Sequence, residues 1–469
     1  FSSALLIQQL VVLLTIGLDL PRMTLYLIKL SQLKMKNTID PESIRQELQQ
    51  YESRLISFRK TVHENPEVGF NTRGTLARIK SILEQFGISG LDTETSPGSG
   101  FLLIEGNRPG ATVALRADID ALPIEEKSGC EWASKNGNAH SCGHDGHQTW
   151  LIAAIIYLVK HRDFPGRILC IFQADEENVA GAQSVIDSGV FQKYGVKEIY
   201  GAHNEPSLDV GTIAFKAGPT MAACDLFSIR VVGVGTHGAR PNFGKDPLPV
   251  ATEIYNALQS LVSRTLDPLK SAVVSVCSFN TEGSRAYNII SDSVKMIGTV
   301  RTFDESIRDT IEEELTRRSQ GIAAAYGIKA ETVYERRVSA VNNDPELTKD
   351  AKEAADRCFG AQNVIELAEP YMISEDFSSY QKVLPGCFFF TVFDETPCID
   401  NSRIFICCFV FTLRFVITFR FEPFLGSFHI GSIFRLFFKN GLPSAFDGVK
   451  VYQSYYFCAF FTNFIHFSD

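Results

Sequence analysis

The chain has 469 residues, of which 45% are hydrophobic and 21% charged, with a formal net charge of −9 at pH 7. That length allows two domains with an interruption, and the negative balance argues against a nucleic-acid surface, which needs basic groups to neutralise phosphates. Eleven cysteines, without CxxC pairs or regular spacing, indicate neither a disulfide framework nor a structural zinc ribbon, and they favour a reducing, cytoplasmic setting.

Residues 4–18 carry no charge, but the run is short for a membrane span and lacks the basic start and cleavage site of a signal peptide. Met35 opens a more ordinary sequence, and translation starting there is the expectation. Residues 40–63 read as a helix, with Asp40 and Pro41 at its start and Ile44, Leu48, Leu55 and Ile56 at roughly helical spacing. A second helix is expected over 73–86, ended by Gly87. Residues 112–117 form a short apolar run, read as a buried strand that delivers Asp118 and Asp120 at its carboxyl end.

The stretch His140-Ser141-Cys142-Gly143-His144-Asp145-Gly146-His147 comes next, then an apolar helix over 148–160. A thiolate, imidazoles and a carboxylate in one turn suit a transition metal better than magnesium or calcium. Alone, the cluster has a bland reading as a polar loop capping the helix behind it. Residues 167–173 form another strand, which empties into Asp175-Glu176-Glu177, and 198–202 a third, ending at His203. Alternating helices and buried strands imply a mostly parallel α/β sheet, in which ligands bind at the carboxyl ends of the strands. Asp118, Glu176, Glu177 and His203 all sit at such ends, a coincidence that favours a metal hydrolase site. Cys142, His144, His203 and one carboxylate could hold one or two divalent ions. Neighbouring Glu176 and Glu177 would point oppositely in an extended strand end, so one could ligate while the other acts as general base.

After Phe215 the pattern changes. Strands are expected at 227–233, 271–279 and 294–302, and helices at 249–264 and 306–326, which suits helices on one face of an antiparallel sheet. The stretch Gly233-Val234-Gly235-Thr236-His237-Gly238 matches a dinucleotide fingerprint by letter, but Ala239-Arg240-Pro241 follows instead of a helix, so that reading is rejected. A helix over 345–359 and the loop Ser374-Glu375-Asp376-Phe377 return to the earlier style. The tail beyond residue 396 holds nearly half of the 36 Phe without a period of 2 or 3.6. A frame change or translated non-coding sequence is the expectation there.

These residues resemble the aminoacylase/carboxypeptidase class of dinuclear metallohydrolases, in the branch of N-acyl-amino-acid amidohydrolases, hippurate hydrolases and indole-acetyl-amino-acid hydrolases. The likeness spans about 40–392. It is carried by Arg116 to Pro123, Cys142 to His147, Glu176-Glu177, Gly201-Ala202-His203, His237 to Pro241 and Ser374 to Phe377. It implies an α/β fold: a mostly parallel sheet with flanking helices and an inserted α+β lid that dimerises. Cys142, His144, Glu177 and His203 would be ligands to two divalent ions (zinc, manganese, cobalt or nickel), Glu176 the general base, and Asp118 a residue orienting a ligand. His237, Asn288 and Arg301 would bind the substrate carboxylate and the oxyanion.

The corresponding division is an apolar extension (1–35), a catalytic domain in two segments (36–217 and 333–395), the lid (218–332) and the Phe-rich tail (396–469). The expected reaction is hydrolysis of N-acyl amino acids, small-molecule substrates, with a carboxypeptidase or dipeptidase specificity as near neighbour and no membrane or nucleic-acid partner. One departure matters. The family closes with a His in a segment like Leu-His-Asn-Pro-x-Tyr-Asp, a ligand to the second metal, and none follows Phe390; His429 and His466 stand in no such motif. The competing reading is therefore a catalytically impaired remnant or a non-catalytic dimeric binding protein.

Overall fold

The structure, a computed structural model, describes residues 41–283 and 286–392. The apolar stretch 1–35 and the tail 396–469, with His429 and His466, lie outside the described residues. Among the described residues no helix is long and apolar enough to cross a membrane.

In chain order β1 (Gly100–Glu105), β2 (Arg108–Asp118), β3 (Pro165–Gln173), β4 (Val196–Asn204), β5 (Ile213–Phe215) and β6 (Gly218–Met221) come first. The middle holds β7 (Ala223–Val232), β8 (Thr236–His237), β9 (Ala272–Glu282), β10 (Ile289–Ile290), β11 (Ser293–Thr302) and β12 (Lys329–Val338). The last are β13 (Val341–Asn343), β14 (Val364–Glu366) and β15 (Gly386–Thr391). A seven-stranded sheet has the order β1-β3-β2-β4-β15-β5-β14. Its pairings are parallel except β1 with β3 and β15 with β5, so the expected mostly parallel α/β sheet is observed.

Continuous apolar strands are what a sheet covered on both faces requires. Along β2, Val113, Leu115 and Ala117 enter one core, and Ala114 the other; along β15, Cys387 and Phe389 face the first, Phe388 and Phe390 the second. The first core is closed by the helices Pro41–Gln49, Glu52–His63, Arg73–Gln85, His144–Lys160 and Pro345–Phe359, and the second takes residues from the short Gly181–Asp187, Val190–Tyr194 and Phe377–Tyr380. His144–Lys160 is buried without interruption from His144 to Leu158, the pattern of a helix apolar on every side.

A four-stranded antiparallel sheet, β12-β7-β11-β9, has a separate core with the helices Pro247–Gln259 and Glu305–Ala325. Those helices and Pro345–Phe359 start at Asp246, Asp304 and Asp344, whose carboxylates accept from first-turn amides. Between β7 and the helix Pro247–Gln259, the stretch 233–238 contains only β8, followed by a 3₁₀ turn at Pro241–Phe243.

Several boundaries differ from the sequence reading. The first helix is two, Pro41–Gln49 and Glu52–His63, because a turn at Gln50 and Tyr51 brings the Tyr51 ring edge-on to Phe86 at 5.1 Å. The apolar helix starts at His144, so His144 and His147 lie in its first turn, and β4 extends through His203. Glu176 and Glu177 stand in a turn, not an extended strand end. Strand alternation therefore does not point them to opposite faces, and a carboxylate oxygen of each lies within 4.8 Å of the other and of His144.

Candidate metal centre

Sheet register assembles the site. Asp118 of β2 pairs with Gln173 of β3, Arg116 of β2 with Gly201 of β4, and His203 of β4 with Phe390 of β15. The three strands therefore present Asp118, the Glu176–Glu177 turn and His203 along one edge. Gly143, at φ 85, reverses the chain into the helix His144–Lys160 and points Cys142 and His144 at the same place.

Cys142 Sγ lies 3.4 Å from His203 Nε2. His203 Nδ1–H donates to the Asn204 carbonyl at 2.6 Å, which leaves Nε2 with its lone pair toward Cys142. His144 Nδ1–H likewise donates to the Asp120 carbonyl at 2.9 Å. Its Nε2 is buried without a hydrogen-bond partner, as is Glu177 Oε1, and the two atoms are 3.9 Å apart. Cys142, His144 and His203 form one group whose ligand atoms all lie within 4.8 Å of one another; His144, Glu176 and Glu177 form a second. On a neutral His144 ring these are two orphaned acceptors facing each other, costly to bury unless something electropositive sits between them.

The electrostatics point the same way. Burial pushes the Cys142 thiol up, against the pull of His144, so a thiolate here needs a nearby cation. Burial, with His147 beside it, holds His203 down at about 3, the neutral form that a ligand requires. At His144 burial disfavours the charged form, but Asp118 and Cys142 outweigh it and raise its pKa well above the ordinary value. That negative field favours a cation here, a proton on His144 or a metal ion in its place, and the residues fit a divalent cation with sulfur, nitrogen and oxygen donors.

Burial, reinforced by Glu375 and Asp376, pushes the Glu176 carboxyl well above the usual range. Its Oε1 accepts from Asp376 N–H at 3.3 Å. A carboxyl raised in this way takes up a proton more readily than an exposed one. Glu177 is also raised by burial, with His144 opposing.

Asp118 is enclosed, and although burial works against its charge, His144, His147 and Arg116 keep it well below the carboxylate range. Asp118 Oδ1 is 2.6 Å from His147 Nδ1, whose opposite ring nitrogen accepts from Asn204 N–H at 3.0 Å.

Sequence reasoning missed the hub behind these residues. The buried Arg116 guanidinium donates to Asp118 Oδ2, Gln173 Oε1 and Glu375 Oε1 at 2.8 Å each and to Asp376 Oδ1 at 3.0 Å. The motifs around Arg116 and Glu375 were visible, but only the fold reveals that they meet. A further group, His63, Glu126 and Cys130, also has metal-like spacing. There His63 Nε2 is 3.0 Å from Glu126 and Nδ1 3.1 Å from Asp145, so an imidazolium donating from both nitrogens satisfies it and leaves no lone pair for a metal.

His237, Asn288 and Arg301 make their hydrogen bonds with neighbouring strands and turns. His237 and Asn288 are exposed beside each other at the β8–β10 ladder, where Gly238 N–H donates to the Asn288 carbonyl at 2.7 Å. Arg301, on β11, donates to Val300 O at 3.1 Å and to Thr299 Oγ1. Among the described residues, none of their hydrogen bonds reaches the Cys142 cluster.

A family model described as Peptidase family M20/M25/M40 matches residues 114–404. The chain is 40% identical over 340 residues to an N-acetylcysteine deacetylase of Bacillus subtilis, covering 72% of this chain and 88% of that protein. It is 35% identical over 345 residues to a hippurate hydrolase of Campylobacter jejuni, covering 73% and 89%. Among solved structures, the Bacillus subtilis YXEP protein, described as a dinuclear metal binding peptidase, superposes with a TM-score of 0.68 at 33% identity, covering 79% of this chain and 99% of that one.

Proposed function

Because the chain belongs to peptidase family M20/M25/M40, we propose that it is a metal-dependent amidohydrolase that cleaves the amide bond of N-acyl amino acids, aryl-acyl ones included. The observation that carries the reading is the pair of buried, unpartnered atoms His144 Nε2 and Glu177 Oε1 beside Cys142 and His203. Cys142, His144, Glu177 and His203 hold the metal, two ions per chain as in the dinuclear relative. Bound there, divalent ions would polarise the scissile carbonyl and bring the pKa of water from about 15.7 toward about 7.

Glu176 takes the proton from the attacking water and returns it to the leaving nitrogen, a task for which its raised pKa suits it. Asp118 holds His147 and fixes the surroundings of His144 and His203. The inserted sheet, residues 218–332, acts as a lid and as the contact of a homodimer. Closure, or the partner subunit, brings His237, Asn288 and Arg301 to the substrate, where Arg301 grips the carboxylate and His237 and Asn288 donate to the oxyanion. Free thiols at Cys130, Cys142, Cys170 and Cys387 suit a reducing compartment, and the cytoplasm is the proposed location.

Metal per chain, measured by elemental analysis after dialysis against dilute Zn²⁺ or Mn²⁺, tests the reading alongside hydrolysis of N-acetyl and N-benzoyl amino acids. Two ions with chelator-sensitive turnover is the expected result. One observation favours a second reading, an impaired or purely binding protein: no closing His motif follows Phe390. One ion or none, without turnover, would select it.

A further inference from the structure

Among the described residues only two outside glycine have positive φ, Asp175 at 57° and Val179 at 56°, and they flank Glu176 and Glu177. A left-handed residue costs roughly 1–2 kcal/mol, and a β-branched one such as Val is a true outlier. Such a turn persists only when its surroundings over-determine it.

The determinant is Asp120. Its side chain is fully enclosed, with Oδ1 accepting from Glu176 N–H at 3.1 Å and Oδ2 from Glu177 N–H at 3.3 Å. Its carbonyl accepts from His144 Nδ1–H at 2.9 Å. Next to it, Ile119 N–H donates to the Gln173 carbonyl at 2.8 Å, which ties this segment to the end of β3. Two more bonds close the turn on itself, Val179 N–H to the Glu176 carbonyl at 2.7 Å and Asn178 Nδ2 to Asp175 Oδ1 at 2.6 Å, and from outside Arg337 donates to the Asn178 carbonyl at 2.7 Å and Asp376 N–H to Glu176 Oε1 at 3.3 Å. Among the described residues, Asp120 is the one hydrogen-bonded both to the amides of the turn carrying the glutamates and to the ring of His144.

We infer that Asp120 is the positioning residue of the centre: one carboxylate holds the Glu176–Glu177 turn in its left-handed form, while the carbonyl of the same residue aims His144 Nε2 at Glu177. It acts through backbone amides and an imidazole and touches no reacting atom. The inference rests on the proposed roles of Glu176, Glu177 and His144.

The test uses full-length Asp120→Asn, Val179→Gly and the double variant. Asparagine keeps one acceptor but turns an amino group toward the second amide, so the turn opens. Zn²⁺ affinity of the chelated protein should fall about 10- to 100-fold, as for loss of a group that orients ligands. With an N-acetyl amino acid, kcat should fall about 100-fold while KM changes little, since the reacting groups are misplaced and not removed. Glycine adopts positive φ freely, so Val179→Gly should recover about fivefold of each loss when the double variant is compared with Asp120→Asn. Wild-type affinity and kcat in Asp120→Asn, or no recovery in the double variant, would overturn the inference.

Hydrogen exchange on the wild-type chain needs no variant and covers the case in which Asp120→Asn does not fold. The Glu176 and Glu177 amides should be protected although they lie in a turn, and exchange at unprotected rates would overturn the inference as well. A wild-type chain that hydrolyses no N-acyl amino acid, while Asp120→Asn still loses Zn²⁺ affinity, sinks the proposed reaction and leaves the positioning role intact.

Discussion

Glu176 and Glu177 are adjacent in sequence yet occupy different chemical settings. Glu176 Oε1 meets the Asp376 amide, whereas Glu177 Oε1 faces His144 without a hydrogen bond. Glu176→Gln should therefore lower kcat by about 10²- to 10⁴-fold, the scale of a lost general base, with metal content by elemental analysis unchanged. Retained turnover would remove Glu176 from that role. His63 offers a test of linkage. Burial lowers its pKa, but Asp145 and Glu126 outweigh it, and the folded value is raised. Its contribution is complete below the unfolded value of about 6.5 and is lost as pH rises through the raised folded value. Glu126 and Asp145 are lowered in turn, so their share is present above about 4 and fades in acid. Thermal melts of His63→Gln should consequently show the largest drop in Tm near pH 5.5 and a smaller one at pH 9. A drop that did not vary with pH would mean that His63 contributes packing alone.

At the scale of elements, the bend between Cys142 and His144 decides whether a thiol on a loop and an imidazole on a helix can point at the same place. Gly143 provides it at φ 85, and a methyl group there would run into the Asn204 side chain. Gly143→Ala should cost at least the roughly 1–2 kcal/mol of a left-handed residue, and the shift of Cys142 should weaken metal binding. Urea unfolding with and without added Zn²⁺ measures both, and an unchanged metal-dependent stabilisation would show that the bend is not critical. The buried helix was legible in its apolar run, but its start was not. Polar His144, Asp145 and His147 break the hydrophobic pattern, and tertiary contacts, with Asp118, Asp120, Arg59, His63 and Asn204 among them, draw them inside.

Across the whole molecule, two buried arginines join distant stretches of chain. Arg308 meets Asp225 through two hydrogen bonds, one at 2.7 Å and one at 2.5 Å, and Tyr334 donates to the same carboxylate at 2.7 Å. Asp225→Asn leaves the enclosed Arg308 charge with only the exposed Glu305 as counter-ion, and a loss of about 3–5 kcal/mol is expected by chemical denaturation, the usual cost of breaking a buried pair. A loss below about 1 kcal/mol, the range of exposed pairs, would mean that the pair is solvated in solution. Arg116 ties Asp118 to Glu375, 259 residues away in sequence.

The sequence by itself determined the sheet and its character, because buried parallel strands and amphipathic or apolar helices write their periodicity locally. It also supplied Cys142, His144, His203 and the Glu176–Glu177 pair as candidate donors, because metal chemistry restricts which side chains can serve. Only the tertiary structure decided that Arg116 and Asp120 stand behind the glutamates and His144, and that His237, Asn288 and Arg301 make their hydrogen bonds with their own strands and turns. Those outcomes depend on strand register and on a left-handed turn, and both are set by pairings between segments that no local pattern records.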